Sequence, residues 1–596
     1  MPKPISSSKK STGLTSAGAA QSNVRSKVSK KTGALVPNPS VANKKSKLRE
    51  IFENSGFKHI ESDNIHFSLR NRKGEIDHIF AWENVILLCE ETTGTNDIAQ
   101  HCAKKILFHS IIASDWDDFL DTYRPLNNSF DDYLGVQYKS AEIIVRHIYY
   151  SDAHDVDEGV AANSEPFIVL SRAHASYFAA LVKTIGKSAK YELLKYLGIS
   201  LSQIGETYIS GGGVTSNSFP GLAIPAVHTN YPNDFAVVSF YADPMALIKR
   251  AYVLRRDGWE DANLSYQRFV RAEKLSAMRE HLSANGKVFI NNLIVTLPSA
   301  THMSKADGSI VDPKKLSDRT HVSLHLPLEL GTVGIVDGQH RIFAYYEGVG
   351  PVEETIAQLR RRQNLLVTGV IFPSNYSDEM RLKFEAELFL SINNTQTGVE
   401  TQLRQDLETI INPHTPLAMG RTVVNKLATE GPLKGMLQVS QFEPADKIAT
   451  GSLGPYVLNT LLRKGSSFYK TWDVSGGKDL TNEVVRRDFV HYSVDEIKKL
   501  LIGCSQNLPG RWRAAANGGV LTTTVVGGLL LLLERIAEAN ISFKNLDYEK
   551  ALVPLKEFDF TNYRSSSWSK LSKDLFANLS LAKSGGGVPL IKSKRK

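Results

Sequence analysis

The run Val333-Gly334-Ile335-Val336-Asp337-Gly338-Gln339-His340-Arg341-Ile342-Phe343-Ala344-Tyr345-Tyr346 constrains the fold more tightly than any other stretch. Its apolar half reads as a buried strand ending at Val336. Asp337-Gly338 is a turn signal. From Gln339 onward, Ile342, Phe343 and Tyr346 recur at helical spacing. Five polar or small residues therefore sit at a strand-to-helix junction, where free backbone N–H groups favour anions. Asp337, Gln339, His340 and Arg341 are a poor choice for a core. In such a corner Arg341 and the amides suit a phosphate, His340 a proton, and Asp337 a metal or water. The same residues also suit a plain turn with a capping Asp and a solvated Arg, and the letters alone leave both open.

A chain of 596 residues has length for about three to five domains. Cys89, Cys102 and Cys504 lack the spacing of a disulfide framework or a structural zinc site, which suits a reducing cytosol. The formal charge is +9, but residues 1–49 hold eleven Lys or Arg and no Asp or Glu, leaving −2 for residues 50–596. Any nucleic-acid contact in the folded part must then come from local patches rather than a general field. No apolar segment follows Met1, so no secretory signal is expected. Val520–Leu533 is shorter than the roughly 20 residues a bilayer needs. It reads as a buried helix, and no membrane contact is expected.

Residues 1–47 read as a disordered basic tail and 48–150 as a small α/β unit. Leu48, Ile51 and Phe52 open a helix there. Gly74–Phe80 reads as one strand containing Asp77. Val85–Cys89 reads as the next, running into Glu90-Glu91-Thr92-Thr93, and a helix with Gln100, Lys104 and Lys105 follows. Residues 151–222 read as a helical connector with the loop Ser210-Gly211-Gly212-Gly213. The central domain spans 223–400. It holds strands near 235–241, 289–297, 333–337 and 367–372, and helices near 244–254, from Ala272 to Leu282, and after Ser377. Residues 401–583 read as mostly helical, with Arg511-Trp512-Arg513 as a basic-aromatic cluster, either stacking on nucleic acid or packing as a rimmed core tryptophan. Residues 584–596 read as a flexible basic end.

Two resemblances attach to these motifs. The pentapeptide Asp337–Arg341 resembles the signature of DGQHR-domain proteins, a DndB-like group related to the ParB/sulfiredoxin fold. Tyr266-Gln267-Arg268, the Phe289–Val295 stretch and Phe389–Gln396 resemble further landmarks of that family in the same order. Ile290 stands where the family often has Pro. The order of helix, Asp-bearing strand, acid-ending strand and helix in 48–150 is similar to the PD-(D/E)XK nuclease core. The fold class expected is thus α/β multidomain, with a restriction-endonuclease-like N-terminal domain, a central ParB/sulfiredoxin-like α+β DGQHR domain and a helical C-terminal region.

By the nuclease resemblance, Asp77 and Glu90 hold Mg²⁺ or Mn²⁺. Thr92 stands where the family wants Lys, so either Lys104 or Lys105 supplies that charge from the helix, with Lys104 taken as the catalytic one, or the domain is a nuclease relic that binds DNA or a partner. By the DGQHR resemblance, Arg341 grips a phosphate and Asp337 orients metal or water. His340 polarises or protonates, while Gly338 and Gln339 meet phosphate oxygen or base edge. Asn393 and Asn394 close the pocket, and Gln267 and Arg268 approach from their helix. The implied ligands are an NTP and DNA, with other DNA-modification or defence proteins as partners, in the cytoplasm. Three readings stay open: a two-part defence nuclease, a DndB-like regulator with a degenerate nuclease domain, and a scaffold without catalysis.

Overall fold

The structure, a computed structural model, describes residues 46–579 apart from 95–96, 135–137, 206–215, 254–258, 260–268, 395–406, 440–441 and 445. Residues 1–45 of the basic tail, Gly211–Gly213, Tyr266-Gln267-Arg268 and the 584–596 end lie outside the described residues. Ser46 and Lys47, assigned to that tail from sequence, belong instead to the first helix.

That helix, α1 (Lys47–Asn54), starts where the Ser46 hydroxyl accepts from the Arg49 amide at 3.0 Å. It buries Leu48, Ile51 and Phe52, the face expected from their spacing. Next come strands β1 (Lys58–Ile60), β2 (Phe67–Leu69), β3 (Arg72–Gly74), β4 (His78–Trp82) and β5 (Val85–Thr92). Helices α2 (Ile98–Ser114) and α3 (Trp116–Tyr123) lead to β6 (Ile144–Ser151) and β7 (Phe167–Leu170). One sheet has the order β1-β4-β5-β6-β7, antiparallel up to β5 and parallel from β5 to β7. Val85 to Cys89 are all buried, as a strand covered on both faces requires.

The strand expected over 74–80 is broken in two. Gly74 ends β3, which pairs with β2, and β4 begins only at His78. A Cβ at Gly74 would lie 2.5 Å from the Phe108 ring, so the chain there passes directly against α2. The N-terminal sheet also runs past residue 150: β6 and β7 belong to it, and the 151–222 segment is not simply a helical connector.

The second sheet contains β8 (Ser216–Ile224), β9 (Ala236–Ala242), β10 (Ala251–Tyr252), β11 (Leu293–Leu297), β12 (His302–Ser304), β13 (Thr320–Pro327), β14 (Val333–Asp337) and β15 (Leu365–Ile371). Their order is β10-β14-β11-β15-β9-β8-β13-β12. The central sheet therefore starts at Ser216, before the boundary read from sequence. Helix Ala272–Asn285 falls where the apolar spacing put it, as does helix Asp378–Asn394, whose Met380 amide donates to the Ser377 hydroxyl at 3.2 Å.

One hydrophobic core runs through both sheets. It joins Phe80, Leu87 and Cys89 to Val295, Val333, Ile335 and Val367 by way of helices Arg172–Ile185 and Lys190–Tyr196. The C-terminal region is helical with two short strands, Leu437–Gln438 and Ile448–Ala449, and has its own core. Helix Thr523–Glu538 lies at its centre, with every leucine from 529 to 533 buried. Among the described residues no helix is long and apolar enough to cross a membrane.

Candidate functional site

Asp77 precedes β4 and Glu90 lies in β5. Because His78 pairs with Cys89, the antiparallel register brings the two acids side by side. Asp77 Oδ2 accepts from the Glu91 amide at 2.9 Å, which ties the loop to the strand. Glu90 is fully buried. From α2, the Lys105 ammonium forms an ion pair with Glu90 Oε2 and lies 3.6 Å from Asp77 Oδ1. Lys104, the lysine taken from sequence, is exposed, and Lys105 is the one that meets both acids. One residue on a helix turns a side chain by about 100°, so only one of two adjacent lysines can face the sheet.

Two residues that sequence reasoning missed complete the cluster. His109 Nε2 lies 2.8 Å from Glu90 Oε1, and His109 Nδ1 lies 2.8 Å from His147 Nδ1 on β6. When Glu90 is ionised, the form the Lys105 ammonium favours, it can only accept. His109 Nε2–H then donates to it, and His109 Nδ1 accepts from His147 Nδ1–H. Both imidazoles are buried. On α2, His101, Lys105 and His109 recur every four residues, a stripe visible in the sequence. His101 Nδ1 lies 2.9 Å from the Tyr149 hydroxyl.

Burial and the neighbouring Asp77 charge push the Glu90 carboxyl well above its usual range, with Lys105 opposing. Burial works to lower the Lys105 ammonium, but the Glu90 and Asp77 carboxylates outweigh it and raise it. Burial, helped by His147 and Lys105, holds His109 well below the ordinary imidazole value.

Among the described residues no group of three or more His, Cys, Asp or Glu side chains is arranged to hold a metal. Mg²⁺ keeps several waters and needs only one or two carboxylates. Of the two acids Asp77 is the partly exposed one, while Glu90 is fully buried with Oε1 on His109 and Oε2 on Lys105, so a cation there would have to replace part of the charge Lys105 now supplies.

The signature forms the strand, turn and helix read from its letters. Asp337 ends β14, Gly338 takes φ +104°, and helix Gln339–Phe343 follows. Arg341 turns back rather than outward: its Nη2 lies 2.6 Å from Asp337 Oδ2 and 2.9 Å from the Asn292 carbonyl. A phosphate would compete with Asp337 for that guanidinium. The Asp337 and Arg341 side chains are 32% and 21% exposed, so the corner is neither solvated nor sealed. His340 Nε2 accepts from the Arg271 amide at 3.4 Å. Burial, then Lys274, Arg271 and Arg341, lower its pKa to about 4. Gln339 is half-buried beside it. Asn393 and Asn394 end helix Asp378–Asn394, and Gln267 and Arg268 lie outside the described residues.

The Arg511-Trp512-Arg513 cluster is structural. Trp512 Nε1 donates to the Pro432 carbonyl at 2.8 Å, and Arg511 donates to the Lys556 and Phe558 carbonyls at 3.1 Å each.

Among the imidazoles lowered in the fold, His340 and His147 come down to about 4, the latter by burial and Arg146. The unfolded chain binds these protons near pH 6.5. Their contribution is therefore fully present above about pH 6.5 and is lost as the pH falls toward 4. The expected loss is at most about 3 kcal/mol per histidine. Urea midpoints at pH 7 and 4.5 should show it, and His340→Gln, which keeps an acceptor for the Arg271 amide, should flatten the profile.

What fold and site define is a mixed α/β chain with a buried carboxylate–lysine–histidine cluster in one sheet and a strand-to-helix polar corner in the other. Compared with known proteins, the chain matches no family model, no curated protein and no solved structure.

Proposed function

We propose that this chain acts on DNA as a DGQHR-type protein of a modification or phage-defence system. In this reading the Asp77–Glu90–Lys105 cluster is a metal-dependent nuclease site, and the central α/β unit senses a nucleotide or DNA. The observation that carries the reading is the placement of Lys105. Position 92 lacks the lysine of the nuclease pattern, and α2 returns an ammonium to both acids.

Asp77 and Glu90 would hold Mg²⁺ or Mn²⁺, which when bound supplies a Lewis acid and a more acidic water. Lys105 Nζ orients the attacking water and offsets charge as it develops on the phosphate. His109 fixes Glu90 by holding its Oε1. With Mg²⁺ or Mn²⁺, with or without NTP, the purified protein should nick or cut plasmid DNA. Asp77→Ala should abolish cutting with the thermal transition kept. Cutting retained by the folded variant would remove this site from the reaction.

A second reading has its own support. Glu90 is fully buried and both its oxygens are engaged, Oε1 by His109 and Oε2 by Lys105. That suits a nuclease-like domain that binds DNA without cutting it, as in a DndB-like regulator. DNA binding without metal-dependent cleavage would favour this second reading.

A further inference from the structure

The second sheet ends at one side in β12, three residues long and paired antiparallel with β13. Side chains alternate along a strand, so Met303 turns into the core while His302 and Ser304 stand on the other side. On β13, Val322, Leu324 and Leu326 are buried, which puts His321, Ser323 and His325 on that same outer side. The register sets His302 directly opposite His325. Their ring centroids lie 4.5 Å apart, and the rings are within 10° of parallel. Ser304 Oγ lies 2.9 Å from His325 Nε2. Both imidazoles can be reached from solvent, His302 exposed and His325 half-buried. Burial and then His302 hold His325 below the ordinary imidazole value, which keeps a lone pair on it at neutral pH. Two imidazoles brought side by side from positions 302 and 325, with no acid between them in the pairing, are a donor set for a soft-to-borderline cation.

We propose that His302 and His325 chelate one divalent transition-metal ion of the zinc class. Imidazole suits Zn²⁺, Cu²⁺ and Ni²⁺, whereas Mg²⁺ and Ca²⁺ seek oxygen. Zn–N bonds of about 2.0–2.1 Å put two ligating nitrogens about 3.3 Å apart, so a tilt of the stacked rings toward each other closes them on one ion. With the ion on His325 Nδ1, Nε2 carries the hydrogen and donates to Ser304, the outer-shell support typical of a metal-bound imidazole. Two protein ligands leave the remaining positions to water or to a donor from outside the chain, so the site is open rather than closed. Bound there, the ion clips the edge strand to its neighbour. The pair belongs to the second sheet and Asp77 and Glu90 to the first, so the two sites are separate.

The test is calorimetry of the full chain with ZnCl₂ at neutral pH, without DNA. The native chain should bind a Zn²⁺ ion that excess Mg²⁺ does not displace. His302→Ala and His325→Ala should each weaken that binding by about tenfold or more. His321→Ala, on the same strand and side but four residues from His325, should bind as the native chain does. Ser218 is exposed on β8 and lies opposite His325 on its other flank. Ser218→His should therefore supply a third imidazole and tighten binding about tenfold; unchanged affinity would place the ion elsewhere. No Zn²⁺ binding by the native chain, or native affinity in both His302→Ala and His325→Ala, overturns the assignment. Asp77→Ala should leave the isotherm as it is, whether or not the acids cut DNA; binding lost in that variant would put the ion at the acids and overturn the assignment as well.

Discussion

Lys105→Met should lower metal-dependent DNA cleavage by about 100-fold or more while the protein stays folded. The substitution keeps the length and most of the apolar stem of the side chain but removes the ammonium that, among the described residues, pairs with both Asp77 and Glu90. Two consequences separate this from simple damage to the fold. First, Glu90 loses its counter-charge while buried, so its carboxyl should rise further and the fold should lose about 1–3 kcal/mol near neutral pH. Second, the neighbouring Lys104→Met should change neither cleavage nor stability measurably, because Lys104 is exposed. Plasmid cleavage and urea unfolding on the two variants side by side measure both. Equal activity in Lys105→Met and the native chain would show that α2 supplies nothing to the reaction.

Gly338→Ala should cost the fold about 2–4 kcal/mol. Gly338 sits at φ +104°, outside the range side-chain-bearing residues tolerate. An added Cβ would lie 2.4 Å from Leu293 Cδ2 on the neighbouring strand β11, and 3.0 Å from the Arg341 guanidinium. The methyl must displace a fully buried leucine or open the Asp337–Arg341 pair. A fall in urea midpoint is the readout; a midpoint within error of the native value would mean that the turn relaxes freely.

The central corner was legible because its information is local. A strand, a turn glycine and a helix within fourteen residues are fixed by neighbouring letters, and the structure follows them. The direction of Arg341 was not legible. Whether a guanidinium folds back on the carboxylate four residues earlier or faces solvent depends on Asn292, 49 residues away, whose carbonyl accepts from it. In the N-terminal sheet, the pairing of Asp77 with Glu90 came from the resemblance to the nuclease order of elements, and the register of β4 on β5 brings the two acids together. The choice between Lys104 and Lys105 needed the rotational phase of α2, which two adjacent lysines do not reveal. His109 had a signal in its four-residue spacing from Lys105. His147 had none, since its partner is set by the parallel pairing of β5 and β6 across more than fifty residues. The domain limits misread for the same reason: β6, β7 and β8 are short apolar runs whose sheet is chosen by distant partners.

Helices Arg172–Ile185 and Lys190–Tyr196 bear on how such a chain can evolve. Between them the Lys187 amide donates to the Glu347 carbonyl at 2.8 Å, just beyond the signature helix, and a Cβ on Gly186 would lie 2.6 Å from that same oxygen. The two α/β halves are thus grafted backbone to backbone over a common interior. Neither half is a cassette that recombination can exchange alone: any donor sequence would have to bring a matching splint of these helices with it.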